Sequence, residues 1–336
     1  MILRFAFSFL SLWLVSCNAQ ENPTPNNPPK KTISLGITGD QADVTVPTSL
    51  GIVLMGGSTD VDEAFGWMID RAKGGDFVVI RASGSTGYNN YIKGLGDLNS
   101  VETLLIDSRE KANLNEARDK IRNAEALFIA GGDQANYVNY WADTEVSRAI
   151  QYLIDEKKVP IGGTSAGCAV LSEIIFDAKN GSIISTEALQ NPYNPLLSIS
   201  ESFIKIPYLT NTITDQHYTQ RDRHGRHIAF MARMMKDNGI NARGIGVDER
   251  TAVCIDADGN ALVFGSNRAY FIINNGAVPE SCLPGTPLTW VQNQEALRVY
   301  IFQGSTTGKP AFNVNEWPTG APNQFWYSEN GVLKVK

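Results

Sequence analysis

Short apolar runs that alternate with helix-like segments constrain the fold of this chain more than any other feature. Four continuous runs cover residues 51–55, 77–80, 103–106 and 126–130. A run without polar alternation is typical of a strand that is covered on both faces. Segments with helical periodicity lie near residues 61–73, 89–97, 113–123 and 135–157. The alternation predicts an α/β fold, in which helices flank a mostly parallel sheet with right-handed crossovers.

The pattern becomes strand-rich past about residue 250. Apolar runs at 252–255, 261–264, 270–273 and 297–302 are separated by turn signals such as Asp258-Gly259 and Asn275-Gly276. We therefore expect the α/β domain to cover residues 49–275 and a C-terminal β-rich extension to cover residues 276–336.

The N-terminus has the features of a bacterial lipoprotein signal peptide. Arg4 is followed by a mostly apolar stretch, residues 5–15, which is too short to span a bilayer. Leu14-Val15-Ser16-Cys17 resembles a lipobox, so we expect residues 1–16 to be removed and Cys17 to carry the lipid. An ordinary signal peptide that is cleaved nearby is the alternative.

An Asn- and Pro-rich stretch follows Cys17, and it favours extended conformations that bury no face. Residues 17–48 are therefore predicted to be the lipidated cysteine and a tether. This predicts an extracytoplasmic protein, anchored to a bacterial membrane and facing the periplasm or the cell surface.

Charge and cysteine content exclude several classes of function. A net charge of −6 argues against non-specific binding of nucleic acid, which needs a surplus of Lys and Arg. Cys168, Cys254 and Cys282 form no CxxC pair and have no metal-ligand spacing. Cys168 and Cys254 lie in apolar runs and are expected in the core. We expect no metal and no other cofactor.

A candidate nucleophile lies where a short apolar strand leads into a helical run. Residues 163–167 read Gly-Thr-Ser-Ala-Gly and fit the G-x-S-x-G pattern, in which a strained strand-to-helix turn exposes the serine hydroxyl. This context favours Ser165 as a nucleophile over a plain turn residue. The helix N-terminus behind it favours developing negative charge.

A serine nucleophile usually needs a histidine base, and the sequence has three histidines. His224 and His227 fall in an amphipathic helical segment and are expected to be solvated or packing residues. His217 precedes that helix in a loop after an apolar run, where a base is expected. We therefore predict that His217 is the base.

Four blocks together resemble the cyanophycinase-like serine peptidases, a family that also includes aspartyl dipeptidase. The blocks are Ala130-Gly131-Gly132-Asp133-Gln134, residues 162–167, Asp215-Gln216-His217 with the arginines that follow, and residues 244–252. The resemblance covers roughly residues 51–273. It implies a fold like that of class I glutamine amidotransferases and a metal-free Ser-His-acid triad.

Carried over by motif, the resemblance implies a role for each of several residues. Ser165 is the nucleophile, His217 the base and Glu249 the acid, with Asp248, Glu187 and Asp215 as alternative acids. The backbone N–H groups of Gly132 and Ala166 form the oxyanion hole. The substrate cleft is lined by Gln134, Asp215, Gln216, Arg221, Arg223 and Arg226.

The three arginines of this set also have a physical interpretation of their own. They begin a helix, where the dipole disfavours cations, so a carboxylate ligand would offset their repulsion. A solvated basic face that is partly paired with Asp222 is the alternative.

The leading hypothesis is a serine exopeptidase that acts on aspartate-rich peptide, namely cyanophycin (arginyl-polyaspartate), and releases β-aspartyl-arginine. An aspartyl or isoaspartyl dipeptidase of the same family, or a non-catalytic surface lipoprotein that binds acidic peptides, remains open. The expected partners are the acidic peptide and the membrane, but not nucleic acid, and a homodimer is left as an option.

Overall fold

Two mixed β-sheets and nine α-helices make up residues 32–336, the part of the chain that the computed structural model describes. The strands are β1 Ser34–Gly39, β2 Gly51–Met55, β3 Asp76–Arg81, β4 Ser100–Leu105, β5 Ala126–Ile129, β6 Pro160–Thr164, β7 Ile174–Phe176, β8 Ile199–Glu201, β9 Thr212–Gln216, β10 Arg243–Val247, β11 Thr251–Asp256, β12 Asn260–Gly265, β13 Arg268–Asn274, β14 Leu297–Gln303, β15 Lys309–Asn313, β16 Gln324–Glu329 and β17 Val332–Val335. The helices are α1 Asp62–Ala72, α2 Gly87–Lys93, α3 Arg109–Ala112, α4 Asn115–Asn123, α5 Gln134–Trp141, α6 Glu145–Tyr152, α7 Ala166–Ala169, α8 Ser185–Gln190 and α9 His224–Asn238.

The first sheet has a parallel centre. Its strand order is β1-β4-β3-β5-β6-β2-β11-β12-β15, and the pairs from β4 to β2 are parallel. β2, β3 and β5 are almost wholly buried, as their continuous apolar sequences predict. The remaining pairs, at both edges, are antiparallel. The predicted α/β fold with a parallel sheet and flanking helices is confirmed.

The second sheet has the order β17-β16-β14-β13-β10-β9-β7-β8. Within it β9 is parallel to both β7 and β10, and the other pairs are antiparallel. The predicted C-terminal β-rich region is present, but it is not a separate layer. β14 pairs with β13 over its full length, and β15 joins the edge of the first sheet.

Two predicted boundaries differ from the structure. The tether predicted for residues 17–48 includes β1, which pairs antiparallel with β4 from Ser34↔Leu104 to Gly39↔Ser100 and covers that sheet edge. The helical segment predicted for residues 135–157 is split into α5, α6 and a turn of π-helix at residues 153–157. The break occurs because Asp143 has a φ of 58° and Thr144 then starts a new helix with a capping box.

Cys17 and the predicted signal peptide lie outside the described residues. Among residues 32–336, no helix has the length and apolar character needed to cross a bilayer.

Candidate active site

Ser165 lies in a strained turn between the first sheet and a short helix. β6 ends at Thr164 and α7 begins at Ala166. Ser165 itself has a φ of 53° and a ψ of −118°, which non-glycine residues rarely adopt. Its backbone N–H donates to the carbonyl oxygen of Met55 at 3.1 Å, so β2 supports the turn. The strand-turn-helix context that the G-x-S-x-G pattern predicts is therefore present.

His217 follows β9 of the second sheet and faces Ser165, which follows β6 of the first sheet. Its Nε2 lies 2.8 Å from the Oγ of Ser165. Its backbone N–H donates to the carbonyl oxygen of Gly56 at 2.7 Å, and its side chain is only 6 % exposed. His217 is thus fixed at its backbone and within hydrogen-bonding distance of the serine hydroxyl.

Glu249 completes the chain of hydrogen bonds. It follows β10, and its Oε1 lies 2.7 Å from the Nδ1 of His217. The side-chain oxygen of Gln220 accepts from the Glu249 backbone N–H at 2.9 Å. A serine, a histidine and a carboxylate in this order can pass the serine proton to the imidazole and stabilise the imidazolium.

The three alternative acids have other partners. Asp248 accepts from the backbone N–H of Thr219 at 2.8 Å and from that of Arg268 at 3.3 Å, so it ties two loops together. Glu187 lies in α8, where its carboxylate accepts from a backbone N–H at the start of that helix. Asp215 is buried in an ion pair described below. Of the four carboxylates considered, Glu249 is the one placed on His217.

Burial and neighbouring charges set the protonation of the pair. Burial lowers the pKa of His217, the hydrogen bond that it donates to Glu249 acts in the opposite direction, and the guanidinium groups of Arg221 and Arg223 lower it further. The hydrogen bond with His217 lowers the pKa of Glu249. His217 is therefore neutral and able to accept a proton near pH 7 while Glu249 remains ionised.

The other two histidines have structural surroundings. His227 is fully buried, its Nδ1 lies 3.0 Å from the Tyr218 hydroxyl, and its Nε2 lies 3.2 Å from the carbonyl oxygen of Ile213. His224 packs against aromatic rings, including Tyr218 and Trp326. Cys168 is fully buried, and so is Cys254.

The two predicted oxyanion donors follow neighbouring strands of the first sheet. Ala166 is the first residue of α7, so its N–H has no partner within the helix. Gly132 follows β5, the strand next to β6, and lines a cavity of about 290 Å³. Gly131, which precedes Gly132, borders the serine: a Cβ added to it would lie 3.4 Å from the Cβ of Ser165.

Four of the six predicted substrate residues are buried, whereas Gln134 is half-buried and Arg221 is exposed. Asp215, Arg223 and Arg226 form a buried ion-pair cluster: Arg226 donates to Asp215 at 2.6 and 2.7 Å, and Arg223 donates to it at 3.2 Å. Although burial alone would raise it, the charges of Arg226 and Arg223 lower the pKa of Asp215 to about 2. Asp215 therefore already offsets part of the arginine charge. The sequence interpretation had assigned this offsetting role to a ligand carboxylate.

Two arginines against one aspartate leave this buried cluster with a net charge of +1. Arg221 is exposed, and no ion pair to it occurs among residues 32–336. Gln216 is buried, and its carbonyl oxygen accepts from Arg223 at 2.8 Å. The cavity is lined in part by Gln134, Arg221, Arg223 and Arg226, so four of the six predicted residues meet there, whereas Asp215 and Gln216 lie behind them.

Gly57 is a site residue that the sequence pattern did not reveal. It follows β2, has a φ of 96°, and leaves room for the His217 ring: a Cβ added to it would lie 2.5 Å from Nε2. Gly57 reaches the site because β2 lies beside β6, and this information comes only from the sheet order.

Comparison with known proteins places this geometry in a family. Residues 53–263 match Peptidase family S51. Cyanophycinase from Synechococcus elongatus is 29 % identical over 178 residues, which cover 53 % of this chain and 50 % of that protein. Cyanophycinase from Trichormus variabilis is 30 % identical over 165 residues, covering 49 % of this chain and 50 % of that protein. The chain thus matches about half the length of these relatives.

Two solved structures show a more distant likeness. A peptidase from an acI-B1 actinobacterium has a TM-score of 0.48 at 16 % identity, covering 67 % of this chain and 91 % of that one. A putative peptidase E from Listeria monocytogenes has a TM-score of 0.43 at 18 % identity, covering 64 % and 98 %. The family match spans well over half of the chain and contains the serine, the histidine and the glutamate described above. This chain belongs to peptidase family S51.

Proposed function

We propose that this protein is a serine peptidase that uses Ser165, His217 and Glu249 as its catalytic triad. The single observation that carries the proposal is the continuous hydrogen-bonded line from the Oγ of Ser165 to Nε2 of His217 at 2.8 Å and from Nδ1 to Oε1 of Glu249 at 2.7 Å. Each member comes from a different strand end, so their meeting is a property of the fold rather than of local sequence.

The reaction follows from this geometry. Ser165 attacks the scissile carbonyl while His217 takes its proton, and Glu249 stabilises the resulting imidazolium. The N–H groups of Gly132 and Ala166 stabilise the developing oxyanion. His217 then protonates the leaving amine. In the second half of the reaction His217 takes a proton from water, which attacks the acyl-enzyme, and then returns the proton to Ser165.

The triad is tested by substitution and by covalent labelling. Ser165→Ala and His217→Asn should each lower kcat by about 10³-fold or more, because triad members act as a unit. Ser165→Ala should also abolish labelling by a fluorophosphonate. His224→Asn is the matched control and should retain turnover, since its ring packs on aromatic residues. Normal turnover in Ser165→Ala would refute Ser165 as the nucleophile, whereas wild-type protein with neither turnover nor labelling would leave a binding protein as the interpretation.

We further propose that the substrate is an aspartate-rich peptide, with arginyl-polyaspartate cleaved to β-aspartyl-arginine. Two observations support this: relatives at 29–30 % identity are cyanophycinases, and the cavity that Gly132 lines carries three arginines against one lining carboxylate, Asp133. Arg221 is the arginine best able to meet a substrate carboxylate, because Arg223 and Arg226 are already paired with Asp215.

The substrate class is tested with a series of peptides. A β-aspartyl-arginine polymer, an α-aspartyl dipeptide and a neutral dipeptide are compared with wild type and with Arg221→Ala. Loss of one charge-assisted contact should lower kcat/KM for acidic substrates by about ten- to a hundredfold and should leave the neutral peptide unaffected. Arg221→Lys should recover part of the loss. Best cleavage of the neutral peptide would contradict the acidic substrate, whereas preference for the dipeptide would indicate a dipeptidase.

The membrane anchor is a separate proposal. The Leu14-Val15-Ser16-Cys17 sequence supports lipidation at Cys17. Cys17→Ser protein should then lose incorporated lipid label and leave the membrane fraction, while its peptidase activity is retained. Wild-type protein that is entirely soluble and unlipidated would contradict the anchor.

A further inference from the structure

We propose that Tyr137 is a positioning residue for catalysis, because its hydroxyl holds the backbone segment that carries the Gly132 oxyanion donor. Tyr137 lies in α5 and is 1 % exposed. Its hydroxyl donates to the carbonyl oxygen of Ala130 at 2.7 Å. The proposal rests on the proposed roles of Ser165 and Gly132.

The same hydroxyl also contacts the other end of this segment. A Cβ added to Gly132 would lie 2.7 Å from the Tyr137 hydroxyl oxygen, so the hydroxyl occupies the space beside the Gly132 α-carbon. The Tyr137 hydroxyl oxygen therefore supports the segment at Ala130 and at Gly132. The peptide group between Gly131 and Gly132, whose N–H is the predicted oxyanion donor, lies between these two places. A shift of this segment away from Tyr137 would break the hydrogen bond to Ala130, and a shift toward it would press the Gly132 α-carbon on the hydroxyl.

Ser165 borders the segment on its opposite side. A Cβ added to Gly131 would lie 3.4 Å from the Cβ of Ser165 and 3.6 Å from the carbonyl oxygen of Thr164. The segment thus passes between the nucleophile and Tyr137. Its distance from Ser165 depends on the support that Tyr137 gives from behind.

Tyr137 is itself held rigidly. Its ring stacks on Trp141 with centroids 4.3 Å apart and planes at 9°, and the Trp141 indole donates to the carbonyl oxygen of Ile106 at 2.9 Å. Burial raises the pKa of Tyr137, so the hydroxyl stays protonated and continues to donate. Oxyanion donors act because they are fixed before the reaction, and this stack supplies that fixation from the core.

Tyr137→Phe removes the hydroxyl and keeps the stacked ring. We expect kcat to fall by about ten- to a hundredfold with little change in KM, as for a catalytic group misplaced by about 1 Å. The second-order rate of fluorophosphonate labelling should fall in parallel. A soluble β-aspartyl-arginine oligomer and the fluorophosphonate are the two probes.

Tyr300→Phe is the matched control. Tyr300 is also buried, and its hydroxyl lies 2.7 Å from the backbone carbonyl oxygen of Gly320 and 3.1 Å from that of Pro318, in a loop that carries no triad residue. Both variants should lose similar stability in urea, but only Tyr137→Phe should lose kcat and labelling rate. Equal kcat in the two variants would mean that the Tyr137 hydroxyl is merely structural, and this would overturn the proposal.

A second variant tests the same contact with the hydroxyl in place. Gly132→Ala presses a methyl group against the hydroxyl and should lower kcat by a similar factor. In the Tyr137→Phe background the next nearest ring atom is 3.5 Å away, so adding Gly132→Ala should cost little more. Fully multiplicative losses would overturn the proposal. Ser165→Ala separates the two levels: if it stays active, the triad is wrong, whereas if it is inactive and Tyr137→Phe is fully active, only the positioning role fails.

Discussion

Gly57→Ala should disable the site without replacing any group that performs chemistry. The added Cβ would lie 2.5 Å from both Cε1 and Nε2 of His217 and 3.1 Å from the Cβ of Ser165. Carbon atoms settle at about 3.5 Å or more, so the imidazole must retreat by roughly 1 Å. That shift takes Nε2 out of hydrogen-bonding distance of the serine hydroxyl, which lies 2.8 Å away in the native site. The ring cannot turn aside cheaply, because Glu249 holds its other nitrogen.

We expect kcat to fall about 100-fold for Gly57→Ala, the loss associated with a 1 Å misplacement. The φ of 96° adds strain of about 1–3 kcal/mol, which should appear in urea unfolding. Gly66→Ala is the control: Gly66 lies in α1 with nothing within 4 Å of an added Cβ, so this variant should gain up to about 1 kcal/mol of stability and keep full turnover. If Gly57→Ala hydrolysed β-aspartyl-arginine oligomer at the wild-type rate, the close approach of this loop to His217 would be refuted.

Three further predictions concern charged groups. Glu249→Gln should lower kcat by about 10²-fold or more at unchanged stability, whereas Asp248→Asn should mainly destabilise the protein. Measurements of kcat and of the urea midpoint distinguish the two effects. The opposite result would make Asp248 the acid. Asp215→Asn should destabilise by about 3–5 kcal/mol because it leaves buried guanidinium groups underpaired, and an unchanged urea midpoint would argue against the ion pair. Burial lowers the pKa of His227 to about 4, and the unfolded value is about 6.5, so the unfolded state binds more protons between these values. The free energy of unfolding should therefore fall as the pH drops through this range. If the urea midpoint of His227→Gln depended on pH as strongly as that of wild type, His227 would not be the cause.

Local patterns predicted the parts of the site that depend on local structure. Ser165 stands in a strand-turn-helix motif, and His217 was selected because few histidines were available. Continuous apolar runs predicted β2, β3, β4 and β5, since strands that are buried on both faces need no polar alternation. These features depend on neighbours within a few residues.

Features that depend on tertiary contacts were not predictable in the same way. Arg226 and Asp215 are 11 positions apart and pair only because α9 packs beside β9, so the sequence interpretation assigned the arginine charge to a ligand. Gly57 and Tyr137 show no motif of their own, and their importance comes from what the sheet order brings next to them. Glu249 could not be separated from Asp248 by spacing, because adjacent residues after a strand point to different partners.

Because the proposed triad is divided between two sheets, the activity of the chain depends on the assembly of both. Ser165 follows β6 in one sheet, and His217 and Glu249 follow β9 and β10 in the other. A polypeptide that has been synthesised only as far as residue 200 holds a serine with no base. A molecule whose second sheet has come loose holds a base–acid pair with no nucleophile. If the proposed triad is correct, hydrolysis therefore requires both sheets to be docked, and incompletely folded copies are expected to be inactive.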